Sequence, residues 1–185
     1  MPTLSHIELY TPRLTLRPLD ERDTDAHYAI FSDPAVARYW SSESWTDMAQ
    51  AVQAIARIRA AYEDGSELRF GIELRETGEL VGNCALHHFV ESSRRCELGY
   101  ALGSAHWGKG YASEALRALL AHGFEVLDLN RVEADIDPDN IASGRVLEKL
   151  GFRKEGFMPE RWIVHGKTAD TVNYGLLRRY WDASW

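Results

Sequence analysis

The chain has 185 residues, 21 Lys+Arg against 28 Asp+Glu for a formal net charge of −7, and 45% hydrophobic residues. That is the composition of one soluble domain spanning residues 1–185, large enough to bury a core without disulfide staples. It has no run of about 18 apolar residues and no apolar leader, which excludes a membrane span and a secreted precursor and makes a cytoplasmic setting the expectation. An acidic balance without Lys/Arg clusters argues against a nucleic-acid binder, which needs a basic stripe, and suits amine or cationic partners.

In chain order, Arg13-Leu14-Thr15-Leu16-Arg17-Pro18 alternates at period two and predicts a strand with Leu14 and Leu16 facing inward. A helix follows over Asp20 to Phe31, and Asp33 is placed to cap a short second helix with Pro34 in its first turn. Thr46 to Tyr62 has helical spacing at Ala51, Val52, Ile55 and Ile58, and Gly65 stops it. Leu68–Arg75, Glu79–Val90 and Arg95–Leu102 are strand-like runs whose short connections predict an antiparallel meander. Cys84 and Cys96 within them are expected to be buried apolar fillers. Beyond Gly103–Lys109, the recurrence of Ala112, Ala115, Leu116, Leu119, Leu120, Gly123, Phe124 and Leu127 at three and four predicts a long helix. A strand at Arg131–Asp137, a helix from Pro138 to Leu150 and a last strand at Thr171–Arg178 complete an α+β sandwich, a mixed sheet with helices on both faces.

The segment Trp107-Gly108-Lys109-Gly110-Tyr111-Ala112-Ser113-Glu114 lies between a strand and the start of the best helix. Such a junction offers free backbone N–H groups, and glycine lets an oxygen approach the main chain closely, so it suits a phosphate. Gly103 to Lys109 fits the first seven positions of a P-loop, but Gly110 stands where Ser or Thr must hold magnesium. A dinucleotide fingerprint fails on its third glycine. A helix start that merely needs a tight turn is the bland alternative.

Tyr100-Ala101-Leu102 followed by Trp107 to Ala115, and Asn140-Ile141-Ala142-Ser143 followed by Leu147 to Phe152, resemble the GNAT superfamily of acyl-CoA-dependent N-acetyltransferases. The opening Thr11 to Pro18 and the closing Trp162 to Leu177, with Gly166 and Asp170, resemble the branch that contains the RimJ and RimL ribosomal-protein N-acetyltransferases. The resemblance implies a three-layer sandwich with a sheet of about seven strands, the fourth and fifth splayed to admit acetyl-CoA. It places the pyrophosphate on the backbone from Gly108 through Lys109, Gly110, Tyr111 and Ala112 to Ser113, with Trp107 where many relatives have Gln or Arg. Main-chain groups near Tyr100 and Leu102 would pair with the pantetheine arm, and Asn140 would bond it. Lys109 would help neutralise phosphate, or be a solvated side chain.

The resemblance also implies direct attack of an amine on the thioester. Many relatives have a tyrosine acid where Leu147 stands here, so Ser143, one helical turn after Asn140, is the candidate donor to sulfur, unless it bonds back to its own helix. Glu97, on the strand leading to Tyr100, is the candidate base, acting through water. His87, His88 and His106 are rivals for that role. These histidines with Cys84 or Cys96 have no ligand-pair spacing typical of zinc, so no metal is assigned. Tyr39, Trp40, Trp45 and Trp162 are candidate walls of the acceptor pocket, and Glu43 or Glu160 would hold a cationic amine, although large aromatics are often simply core. Trp181 and Trp185 are expected to dock on the sheet or on a partner chain, as in a homodimer. The expected activity is acetyl transfer from acetyl-CoA to a primary amine, most readily a protein N-terminal α-amine such as that of a ribosomal protein. The alternatives are a small amine, amino acid or antibiotic as acceptor, or a non-catalytic acyl-CoA-binding module.

Overall fold

A computed structural model describes residues 7–40, 42–164 and 166–181. Alternation places Leu14 and Leu16 of strand β2 (Leu14–Pro18) at 0% exposure, after a short first strand β1 (Leu9–Tyr10) that no sequence pattern announces. Between the two inward leucines and the next turn, Arg17 is itself buried and bonds both carboxylate oxygens of Asp23 at 2.7 and 2.8 Å and Glu73 at 2.7 Å. Burial works against charge on Asp23, but the Arg17 bonds and the Asp20 N–H outweigh it and hold the carboxyl below its usual range.

Helices α1 (Thr24–Ser32), α2 (Pro34–Ala37) and α3 (Met48–Asp64) follow. Asp33 and Asp47 cap α2 and α3 by accepting from Ala35 and Ala49 N–H, and Gly65 ends α3. The meander is β3 (Glu67–Leu74), β4 (Leu80–Val90) and β5 (Arg95–Leu102). Then come α4 (Tyr111–Ala121), β6 (Arg131–Ile136), α5 (Ile141–Lys149), β7 (Arg153–Val164) and β8 (Lys167–Leu177). The sheet has eight strands rather than about seven, in the order β1-β2-β3-β4-β5-β6-β8-β7, antiparallel except at β5–β6.

Along β5 the pleat separates two layers. Cys96, Leu98 and Leu102 enter the core that holds Leu116, Leu119 and Leu120 of α4, whereas Ala101 packs on Ile30 and Phe31 of α1. Cys84 and Cys96 are fully buried in the α4 layer, and burial pushes both thiols up to about 12.

The predicted long helix is regular only to Ala121; His122–Val126 widens into a π turn where Gly123 lies against Leu86 and Leu129. Strand β7 has no sequence signature because it is exposed along nearly its whole length, and its structure comes from pairing with β8. Trp181 packs against the main core beside Phe124 of the π turn, with ring centroids 5.6 Å apart. Trp185 lies outside the described residues.

Candidate active site

The parallel pairing of β5 and β6 covers only Arg95↔Arg131, Cys96↔Val132 and Glu97↔Glu133. Beyond these pairs β5 continues to Leu102 and β6 to Ile136, so the two strands diverge and open a V in the middle of the sheet. Because an earlier short strand precedes the predicted first one, the gap lies between the fifth and sixth strands rather than the fourth and fifth. Facing edges at residues 98–102 and 134–136 carry main-chain groups that an inserted extended ligand can pair with, as an added strand does. The carbonyl of Leu102 already accepts the indole N–H of Trp107 at 2.9 Å, fixing the exposed Trp107 beside the mouth.

The glycine loop closes one end of the V. Gly108 and Gly110 have φ of +73° and +82°, and nothing lies within 4 Å of where a Cβ on Gly108 would sit. Gly110 provides no side-chain cap for α4, so the first N–H groups of that helix, at Tyr111, Ala112 and Ser113, are left without a side-chain acceptor and suit an anion. The sequence did not single out what holds this loop. Arg13 donates to the Lys109 carbonyl at 3.0 Å, pairs with Glu114 at 2.7 Å and lies 4.7 Å over the Tyr111 ring. Glu114 also accepts from the Thr11 hydroxyl at 2.6 Å and from the Arg13 N–H at 2.9 Å. Burial raises the Glu114 carboxyl, but these donors together hold it below the usual range, so it stays charged under the loop. Thr11 and Arg13 belong to the opening segment that resembles the RimJ and RimL branch, but their sequence does not report a contact with a helix a hundred residues away.

Across the V, Asn140 caps α5 through its side-chain oxygen, which accepts the Ser143 N–H at 3.1 Å, so that oxygen is engaged within the protein. Ser143 Oγ does not bond back to its helix: it meets the hydroxyl of Tyr100 at 2.8 Å. Burial pushes the Tyr100 phenol up to about 12, against the opposing pull of the Ser143 bond, so it keeps its proton at neutral pH. The predicted main-chain position Tyr100 thus also contributes a side chain, which joins the two strands' halves of the gap.

Glu97 and Gly99 project to the other face, as alternation requires. Glu97 meets His88 Nδ1 at 3.0 Å, and His87 lies beside it, its Nε2 3.3 Å from where a Gly99 Cβ would stand. The same face holds Asn83, bonded to His27 of α1 at 3.2 Å and to Arg69 at 2.8 Å. His106, another predicted rival, instead meets Glu79 at 3.2 Å, with its ring centroid 6.4 Å from that of Tyr111.

The aromatic set divides. Trp40 and Trp45 pack on Phe31 with centroids 5.4 and 4.9 Å away, and Trp45 also lies 5.3 Å from His27, so they cover the α1 side near Ala101. Tyr39, half-buried next to them, stacks under Arg38. Trp162 is on β7, where its indole reaches Asp135 at 3.2 Å and Arg161 covers its ring. Glu160, with φ +51°, uses its N–H to bond Asp170 at 2.8 Å.

A sheet split beside a glycine-bounded helix start, with hydroxyls across the gap, defines an acyl-CoA-dependent transferase. Residues 13–153 match the acetyltransferase (GNAT) domain family, and the chain belongs to it. The Bacillus licheniformis protein "Uncharacterized N-acetyltransferase p20" is 40% identical over 171 residues, covering 92% of this chain and 96% of that relative. Spermidine N(1)-acetyltransferase of Escherichia coli (strain K12) is 27% identical over 172 residues, 91% of this chain and 88% of that enzyme. The structure of Mycobacterium smegmatis RimJ in complex with CoA-disulfide superposes with a TM-score of 0.82 at 28% identity, covering 92% of this chain and 86% of that one. The protein is an acetyl-CoA-dependent N-acetyltransferase with RimJ among its structural relatives. No helix among the described residues is long and apolar enough to cross a membrane.

Proposed function

We propose that the protein acetylates the N-terminal α-amine of a protein substrate, in the manner of the RimJ and RimL branch. The observation that carries this reading is the likeness to RimJ, which covers 92% of this chain. Acetyl-CoA supplies the acetyl group as a thioester; the chain's own residues hold it and move the protons. The loop N–H groups from Gly108 to Ser113 take the pyrophosphate, with Trp107 and Lys109 at its rim, and the free edge at Tyr100 to Leu102 takes the pantetheine arm together with Asn140. An N–H of that edge polarises the thioester carbonyl.

An α-amine titrates near 7.7–8.0, against about 10.4 for a lysine side chain, so a modest base suffices to present it neutral. Glu97, with His88 beside it, accepts the amine proton through water. Ser143 donates to the sulfur as the C–S bond breaks. Tyr100, which keeps its proton, donates to Ser143 Oγ and leaves the serine proton free to point at sulfur. Tyr39, Trp40 and Trp45 shape the acceptor side, and Trp162 flanks it from β7.

A second reading, a polyamine as acceptor, is supported by the net charge of −7 and by the likeness to spermidine N(1)-acetyltransferase. The discriminating experiment is CoA release with peptides bearing a free or a blocked N-terminus, against spermidine. The peptide reading requires release only with the free N-terminus. In the same assay Glu97→Gln flattens the rise of rate with pH; an unaltered profile removes Glu97 from the base role.

A further inference from the structure

Successive residues of a strand point to opposite faces, and His87 and His88 are adjacent. Two departures cancel that rule. His88 has φ of +51°, in the left-handed region, and the β4–β5 register slips between His87 and Val90. Such a bulge re-aims a side chain. The two imidazoles therefore lie side by side, centroids 4.6 Å apart at 79°, rather than on opposite faces of the sheet. Glu97, the cross-strand partner of His87, extends its carboxylate to His88 Nδ1 at 3.0 Å. One donor atom from each of the three lies within 4.8 Å of the others.

We propose that His87, His88 and Glu97 form a binding site for a transition-metal dication of the zinc, cobalt or nickel class on the acceptor side of the sheet. Two imidazoles with one carboxylate suit these ions, whereas magnesium and calcium prefer oxygen alone. Zinc at about 2.1 Å from each donor needs donors about 3.4 Å apart. The His88–Glu97 pair is already that close. The remaining closure falls on the His88 and Glu97 side chains, 72% and 34% exposed, moving together toward His87, where Gly99 leaves clearance at Nε2. Cys84 and Cys96 do not compete, because they are buried with the α4 layer on the opposite face. The sequence pattern hid this group: adjacent histidines and a carboxylate nine positions on have no metal-ligand spacing unless the bulge is known.

Metal binding itself is independent of the acetyl-transfer reading. A consequence does rest on that reading: an ion that occupies the Glu97 carboxylate removes the base, so it inhibits turnover. The test is titration of the full chain with cobalt(II) chloride and with zinc chloride, without acetyl-CoA, followed by calorimetry and by cobalt visible absorption. The site predicts a single strong equivalent in the micromolar range with cobalt absorption. His88→Asn, which tolerates the left-handed backbone, weakens it at least tenfold while the melting temperature holds. Glu97→Gln weakens it likewise. Wild-type protein without a micromolar equivalent, or a His88→Asn protein that binds as well as wild type, overturns the proposal. Metal binding without loss of turnover retains the site and instead refutes the base role of Glu97.

Discussion

Tyr100→Phe removes one hydroxyl and leaves the ring, the main chain and nearly all packing in place. The lost contact is the 2.8 Å bond to Ser143 Oγ. A net hydrogen bond between neutral groups contributes about 1 kcal/mol, and 1.36 kcal/mol is tenfold in rate, so kcat is expected to fall roughly fivefold. The affinity for acetyl-CoA is expected to stay within about twofold, because the main chain at residue 100 is unchanged. Continuous detection of the free CoA thiol gives kcat, and calorimetry gives the affinity. The decisive comparison is a double-mutant cycle. If Tyr100 acts only by orienting Ser143, then Tyr100→Phe has no further effect on kcat once Ser143 is alanine. An unchanged kcat in the single variant, or an equal loss in both backgrounds, refutes the orienting role.

Ser143→Ala alone is expected to lower kcat by about two orders of magnitude, the lower range for a general acid, with acetyl-CoA binding nearly intact; a kcat within twofold assigns the proton to water. Gly110→Val introduces a Cβ 3.4 Å from the Arg13 guanidinium at φ +82°, which strains the loop and shifts its brace. The expected outcome is an acetyl-CoA dissociation constant raised at least tenfold by calorimetry, and an unchanged value removes the loop from the site. Stability carries a pH signature from His27, which burial holds at about 4. The unfolded histidine titrates near 6.5 and binds more protons in between. Folding free energy is therefore fully present above about pH 6.5 and declines by about 3 kcal/mol as pH falls toward 4. Urea unfolding at stepped pH checks this: His27→Gln flattens that slope, and an unchanged slope assigns it elsewhere.

The elements written in side-chain patterns were legible. Leu14 and Leu16 alternate, Asp33 precedes Pro34, and the α4 leucines recur at three and four, because each pattern is the imprint of a single buried face. Strand β7 was not legible, since exposure leaves no alternation and its order comes from β8. The π turn was missed because the apolar spacing through Phe124 and Leu127 does not report how the backbone widens around Gly123. In the candidate site the glycine loop and Ser143 stood out by type and spacing. What sequence withheld were contacts between distant positions: Arg13 and Glu114 are 101 residues apart and Tyr100 and Ser143 are 43 apart. Nor did alternation foresee that His87 and His88 share a face, because a bulge obeys register rather than composition.

The most direct test of the account is steady-state CoA release by the purified protein, with acetyl-CoA and a panel of short peptides. Each peptide is supplied with a free and with a blocked N-terminus, and spermidine serves as the comparison. The account predicts release with free N-termini, acetate mapped to the α-nitrogen by mass spectrometry, and none with blocked ones. Turnover of spermidine without turnover of any free N-terminus would contradict it, and would move the acceptor from a protein terminus to a polyamine.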